Sequence, residues 1–234
     1  MRLHFIGCNG VSMKTLMRIA ESKGHLVSGS DIRLRGHDKR NIEGCNLVVF
    51  SGAIGEDNEE LSFSRRYGIP VMERSEYLAR LSKEYLRVIA VSGCHGKTTT
   101  TAMLGEIFSE RKPTLHVGGE CGLPCVGLSE YFITEACEYR RGFLRLAPSV
   151  GLVTNVEFDH PDTYENEDAV VEAFRTFGKC CKTLIYNGDD ENCRRAYGGE
   201  GITYGLGDDN HFVARPWGNS AENKFDVFYL DLYM

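Results

Sequence analysis

Apolar positions along the 234-residue chain follow two rhythms. Short β-branched or aliphatic runs at 2–6, 26–28, 47–50 and 70–72 have the length and composition of buried strands. Between them, residues 12–23 show helical spacing, with Met13, Leu16, Met17 and Ala20 on one face, and 58–67 read as a second helix. A short helix is expected over 75–81, with Ser75 as its N-cap. The polar stretch 82–85 separates this series from another. The second series opens with a strand at 87–91, turns through 92–96 and continues as helix over 97–110. Further strands are expected at 114–117, 131–136, 150–154 and 183–186, and a helix over 167–179 puts Val170, Val171, Phe174 and Phe177 on a core face. Residues 225–233 read as half of a hairpin, and the chain stops there as though in mid-element. Strands alternating with helices predict an α/β fold with parallel sheets, in two domains, 1–84 and 85–234.

Composition narrows the class. A hydrophobic fraction of 42% and a charged fraction of 26% are ordinary for a globular chain and exclude a disordered or collagen-like one. No run approaches the roughly 18 apolar residues of a membrane span. The N-terminus reads as a strand entering a glycine turn, not as a signal peptide. A cytoplasmic protein without membrane partners is expected. The net charge of -6 argues against nucleic-acid binding through backbone phosphates. The nine cysteines form an odd count without a secretion signal, which favours reduced thiols over a disulfide framework. Cys121-x3-Cys125 and Cys180-Cys181 come nearest to a zinc pattern, and neither has a second matched pair.

The strongest local chemistry is Gly93-Cys94-His95-Gly96-Lys97-Thr98-Thr99, between a β-branched strand and a helix. Phosphate oxygens need converging N–H donors, which a glycine turn and a free helix N-terminus supply, and the helix dipole adds to them. Lys97 is placed to reach β/γ-phosphates and the Thr98 hydroxyl to ligate Mg²⁺. The usual first glycine is replaced by Val91, so a plain strand–turn–helix joint is the competing reading. Downstream, Glu135 and His160 fall at strand ends, on the sheet edge where ligands of open α/β folds sit. Glu135 suits a hard cation; His160, read alone, is either a metal ligand or an ordinary loop histidine. The turn after the first strand, Gly7-Cys8-Asn9-Gly10-Val11-Ser12-Met13, is a poor dinucleotide fingerprint, which disfavours an NAD-dependent oxidoreductase. Arg33, Arg35, Lys39 and Arg40 read as a solvated basic surface in preference to an anion site.

Three motifs in order, Gly93 to Thr100, Thr134-Glu135-Ala136-Cys137-Glu138, and Thr154-Asn155-Val156-Glu157-Phe158-Asp159-His160, resemble the Mur ligase family. Residues 5–13, 27–31, 51–54 with Asn58 and Glu59, and 68–71 with Arg74 are similar to that family's first domain. The resemblance implies a Rossmann-like UDP-binding domain followed by a P-loop-type ATP-binding central domain, incomplete at its C-terminal end. It implies ATP-dependent joining of L-alanine to UDP-N-acetylmuramate through an acyl phosphate, for peptidoglycan precursor synthesis, with ATP and Mg²⁺ as cofactors. On that basis Gly93, Cys94, His95, Gly96, Lys97, Thr98 and Thr99 bind ATP, and Lys97, Glu135 and His160 serve catalysis. Thr98, Glu135 and His160 hold metal, and Gly7, Asn9, Gly10, Ser12, Met13, Asp31 and His37 hold the UDP sugar.

The chain departs from the family in three places. Only 15 residues separate Asp31 from Leu47, too few for both a helix and an additional strand, so the first domain is expected to lack one βα unit. Residues 118–129 are also short. The chain ends before the rest of the central domain and the C-terminal domain, whose closure excludes water, so turnover by this span alone is expected to be low. Two alternatives stand beside ligation: a UDP-sugar or ATP-binding fragment, and a P-loop kinase or hydrolase of another substrate.

Overall fold

Four of the five residues of β1 (Arg2–Ile6) are buried, as a parallel strand inside an α/β layer requires. The computed structural model describes residues 1–34, 36–119, 126–216, 225–229 and 232–233. After β1 the chain forms α1 (Val11–Ser22), β2 (Leu26–Ser30), β3 (Leu47–Phe50), α2 (Glu59–Arg66), β4 (Val71–Glu73) and α3 (Arg74–Ser82). The four strands run parallel in the order β2-β1-β3-β4, so the topology reverses between β1 and β3. Helix α3 starts earlier than the sequence suggests. Its cap is Glu73, which accepts from the Ser75 N–H in a capping box with Glu76, so Ser75 lies inside the first turn and its hydroxyl bonds Glu73.

Among its described residues, the passage from β2 to β3 carries only a 3₁₀ turn over Lys39–Ile42. Its anchor is Glu60, fully buried in the first turn of α2. That carboxylate accepts from the Ser30 hydroxyl at 2.5 Å, the Asn41 amide at 2.7 Å and the Asp38 N–H at 3.1 Å. His37 Nδ1 lies 3.1 Å away and His4 Nε2 3.6 Å. Burial pushes the Glu60 carboxyl up, but the bonds from His4, Ser30, Asn41 and the Asp38 N–H outweigh it and hold the group at about 2. Ile42 and Cys45 of the same passage close a core cluster with Ile6, Val48 and Leu61. Arg33, Lys39 and Arg40 are exposed, Arg40 on Asp38, as a solvated surface requires; Arg35 lies outside the described residues.

The rest of the chain forms β5 (Arg87–Ser92), α4 (Lys97–Ile107), β6 (Thr114–His116), β7 (Tyr131–Glu135), β8 (Val150–Val153), α5 (Glu167–Cys180), β9 (Thr183–Asn187), α6 (Glu191–Tyr197), β10 (Ile202–Gly205), β11 (Phe212–Pro216), β12 (Phe225–Tyr229) and β13 (Leu232–Tyr233). By contact the chain divides into Met1–Leu86 with Thr101–Thr134, and Arg87–Thr100 with Glu135–Met234, so it crosses between units within α4 and within β7. In the first unit β6 and β7 pair in parallel. In the second, β5, β8, β9, β10 and β11 follow one another in parallel, and β11, β12 and β13 turn antiparallel. The expected half-hairpin is therefore two strands, of which β12 pairs with both β11 and β13.

Helix α4 stops at Ile107, short of residue 110, and gives way to a 3₁₀ turn over Ser109–Arg111. Lys112 then takes a left-handed backbone ahead of Pro113, which ends any helix. Val170, Val171, Phe174 and Phe177 of α5 are all buried, and Phe143 stacks on Phe177 at 5.0 Å between ring centres. The described cysteines are free thiols; Cys121 and Cys125 lie outside the described residues. Among the described residues no helix is long and apolar enough to cross a membrane.

Candidate functional site

Strand β5 delivers a buried Ser92, whose hydroxyl donates to the Ala136 carbonyl at 2.8 Å and fixes the start of the turn. At Gly93 φ is +129°, and a Cβ there would stand 2.1 Å from Thr154 Oγ1, so only glycine fits. Thr154 and Asn155, just past β8, hold the tip of the loop. The Thr154 hydroxyl donates to the His95 carbonyl at 2.6 Å, and the His95 N–H donates to Asn155 Oδ1 at 2.9 Å. Cys94 is buried with Sγ 3.1 Å from the Glu157 carbonyl oxygen, and burial pushes its thiol up to about 11. A thiol in that range stays protonated at neutral pH, so Cys94 acts as a loop tie and not as a nucleophile.

The loop opens α4 at Lys97, with no acidic residue in the first turn. Lys97 Nζ donates to the Gly93 and Cys94 carbonyls and lies 3.1 and 3.0 Å from the two Glu138 oxygens. Glu138 is 1% exposed, and its backbone carbonyl accepts from the Tyr164 hydroxyl at 2.7 Å. His160 Nε2 stands 3.5 Å from Glu138 Oε1. The backbone of His160 is left-handed, at φ +58°, a conformation that non-glycine residues keep only where the surroundings impose it. Its ring lies 5.1 Å from that of Tyr139. Ligand atoms of Glu138, Asp159 and His160 fall within 4.8 Å of one another, the one group among the described residues spaced to hold a metal ion. Two carboxylates and an imidazole suit a divalent cation.

Glu135, the last residue of β7, is not in that group, and Glu138 is. Past β7 the chain reaches Glu138, which lies against the loop lysine and precedes a 3₁₀ turn over Tyr139–Arg145 in which Arg140 and Arg141 are left-handed. Thr98 is half-buried and Thr99 exposed, both on the first turn of α4.

In the first unit, Gly7, Asn9, Gly10, Ser12 and Met13 run from β1 into α1. Gly10 caps α1 without a side-chain bond, and no acidic residue occupies its first turn, which leaves an electropositive helix end. Asp31 accepts from the Asn9 N–H at 3.1 Å and the Arg33 N–H at 3.0 Å and so holds the turn. The Met13 side chain is core, leaving its backbone N–H as the group it offers. His37 is held by Glu60 and Ser30.

Two stretches of the chain match known family domains. Residues 91–230 match the Mur ligase middle domain, and residues 2–86 match the Mur ligase family catalytic domain. The UDP-N-acetylmuramate–L-alanine ligase of Caldicellulosiruptor saccharolyticus is 40% identical over 215 residues, covering 82% of this chain and 47% of that protein. The enzyme of the same name from Clostridium beijerinckii is 36% identical over 262 residues, covering 97% of this chain and 56% of that protein. That alignment is longer than the chain, so the relative carries internal segments with no counterpart here. Among solved structures, the UDP-N-acetylmuramate–alanine ligase MurC of Thermotoga maritima superimposes with a TM-score of 0.84 at 24% identity, over 100% of this chain and 59% of that one. The UDP-N-acetylmuramate:L-alanyl-gamma-D-glutamyl-meso-diaminopimelate ligase of Neisseria meningitides gives 0.86 at 20% identity, over 99% and 85%. The chain spans about half the length of the curated relatives it matches.

Proposed function

The chain belongs to the Mur ligase family, and from that premise we propose that it takes part in ATP-dependent joining of L-alanine to the lactyl carboxylate of UDP-N-acetylmuramate. The observation that carries this is the buried Glu138 carboxylate between Lys97 and His160 at the mouth of the phosphate loop. The substrates follow the names of the similar proteins. In this reading residues 1–84 hold the UDP sugar and residues 85–234 hold ATP.

The lactyl carboxylate oxygen attacks the γ-phosphorus, the bond to the β-phosphate oxygen breaks, and ADP leaves. The amine of L-alanine then attacks the acyl carbon of the resulting acyl phosphate, loses a proton, and expels inorganic phosphate. Charge on the transferring group is spread over its oxygens, so the protein's part is positioning and cationic stabilisation. Lys97 exchanges Glu138 for the β/γ-phosphates, and the N–H groups of Cys94, His95, Gly96 and Lys97 surround them. Glu138, His160 and the Thr98 hydroxyl would hold Mg²⁺, which neutralises phosphate charge when bound. Gly10, Ser12 and Met13 receive the UDP diphosphate at the start of α1.

Binding of a non-hydrolysable ATP analogue as a function of Mg²⁺ tests the assignment of the metal carboxylate. Glu138→Gln is expected to raise the Mg²⁺ midpoint by about tenfold or more, and Glu135→Gln to leave it within a factor of about two. A midpoint moved by Glu135→Gln and not by Glu138→Gln returns the role to Glu135.

A further inference from the structure

His116, on β6, is 2% exposed and carries no role in the reaction above. Its Nε2 lies 2.8 Å from the Ser12 hydroxyl on the first turn of α1, although 104 residues separate the two. Its Nδ1 lies 2.9 Å from the Thr134 hydroxyl. Arg74 Nη1 donates to the same Ser12 oxygen at 3.2 Å. Four side chains from α1, α3, β6 and β7 thus form one polar line that ends at the uncapped start of α1.

The proton count along this line is constrained. A guanidinium only donates, so Ser12 accepts from Arg74. Burial, with the Arg74 charge added, holds the imidazole neutral and its pKa down at about 3. A neutral ring has one donor and one acceptor nitrogen. With Nε2 bare, the Ser12 proton points into the protein and its oxygen turns a lone pair outward. With Nε2 protonated, the ring donates to Ser12, and the Ser12 proton is free to point outward.

We propose that His116 is a positioning residue for phosphate recognition: as the Nε2–H tautomer it turns the Ser12 hydroxyl into a donor toward a diphosphate seated on the start of α1. This rests on the UDP reading of the first unit. A phosphate oxygen meets a lone pair in one tautomer and a proton in the other, so the ring decides whether Ser12 opposes or supports the ligand.

UDP itself is the probe, titrated into the 234-residue chain and its variants. Asn at 116 reproduces the Nδ1 position and falls short of Ser12; Gln reproduces the Nε2 position. His116→Asn is expected to weaken UDP about tenfold, equivalent to about 1.4 kcal/mol, and His116→Gln to stay within about threefold of wild type. Adding Ser12→Ala to His116→Asn is expected to weaken binding less than Ser12→Ala does alone, because the hydroxyl contributes less once it is no longer positioned. Spectra of ¹⁵N-histidine-labelled wild type should show His116 protonated at Nε2 and bare at Nδ1 in the UDP complex, a readout independent of variant stability. Wild-type affinity in His116→Asn, or a complex in which Nε2 is bare or both nitrogens are protonated, overturns the proposal while leaving UDP binding intact. Failure of the wild-type chain to bind UDP overturns the UDP reading, and the proposal with it.

Discussion

Lys97→Met is expected to weaken ATP binding by a factor on the order of 10²–10³, read by titration of a non-hydrolysable analogue. Lys97 is the one cation that the described residues place on Glu138 from within the loop, and it is held there by the Gly93 and Cys94 carbonyls. Its Nζ stands where phosphate charge would arrive at the start of α4. Removing it has a second consequence. Glu138, 1% exposed, loses the ammonium that bonds both its oxygens, and a buried carboxylate stripped of its partner costs about 3–5 kcal/mol. Loss of binding and loss of stability are therefore separable by a double variant. Lys97→Met with Glu138→Gln is expected to recover most of the melting temperature and none of the ATP affinity. If the double variant regains affinity, the single variant acted through folding, and Lys97 is a structural ion-pair partner.

Glu60→Ala is expected to destabilise the first unit by about 3–5 kcal/mol, lowering Tm by about 10 °C. The change leaves the Asn41 amide and the Asp38 N–H without their acceptor, and removes the shared partner of Ser30, His37 and His4 in a fully buried site. These groups pin the 31–46 passage to the sheet, where a 3₁₀ turn is the only helical element among the described residues. The pH dependence has a definite sign. A carboxyl held at about 2 in the folded chain, against 4.5 unfolded, binds fewer protons folded than unfolded between those values. Its contribution is full above about pH 4.5 and fades as pH falls toward 2. Glu60→Gln should flatten that part of the stability profile while retaining the side chain's volume. Urea melts at pH 7 and pH 3.5 decide it: equal losses of wild-type and Glu60→Gln stability on acidification would mean that Glu60 is not the group that titrates.

Much of the fold is legible in the chain because its strands announce themselves. Residues 2–6, 47–50 and 87–92 are short apolar runs that enter or leave glycine turns, and the phosphate loop pairs such a run with a helix start. Other elements are quiet. β10 is a four-residue strand, and α6 has only seven residues, too few for a helical period to show. That Glu138, and not Glu135, falls beside Asp159 and His160 is not legible in the sequence, for a geometric reason. Strand period places Glu135 at the sheet edge, whereas Glu138 lies past the strand, where no period in residue type reports its contact with Lys97. Glu60 reads as a solvated charge in Asp57-Asn58-Glu59-Glu60, and its burial depends on residues from β1, β2 and the crossover passage. The Ser12–His116 contact depends on a sequence separation that no local pattern reports.

Ligation is tested most directly by phosphate release from the 234-residue chain in a complete mixture of ATP, Mg²⁺, UDP-N-acetylmuramate and L-alanine, and in mixtures lacking each in turn. The account predicts release, however slow, that needs all four and disappears in Lys97→Met. Release that persists without UDP-N-acetylmuramate and L-alanine would identify a nucleotide hydrolase and contradict it, as would a complete mixture that yields no phosphate.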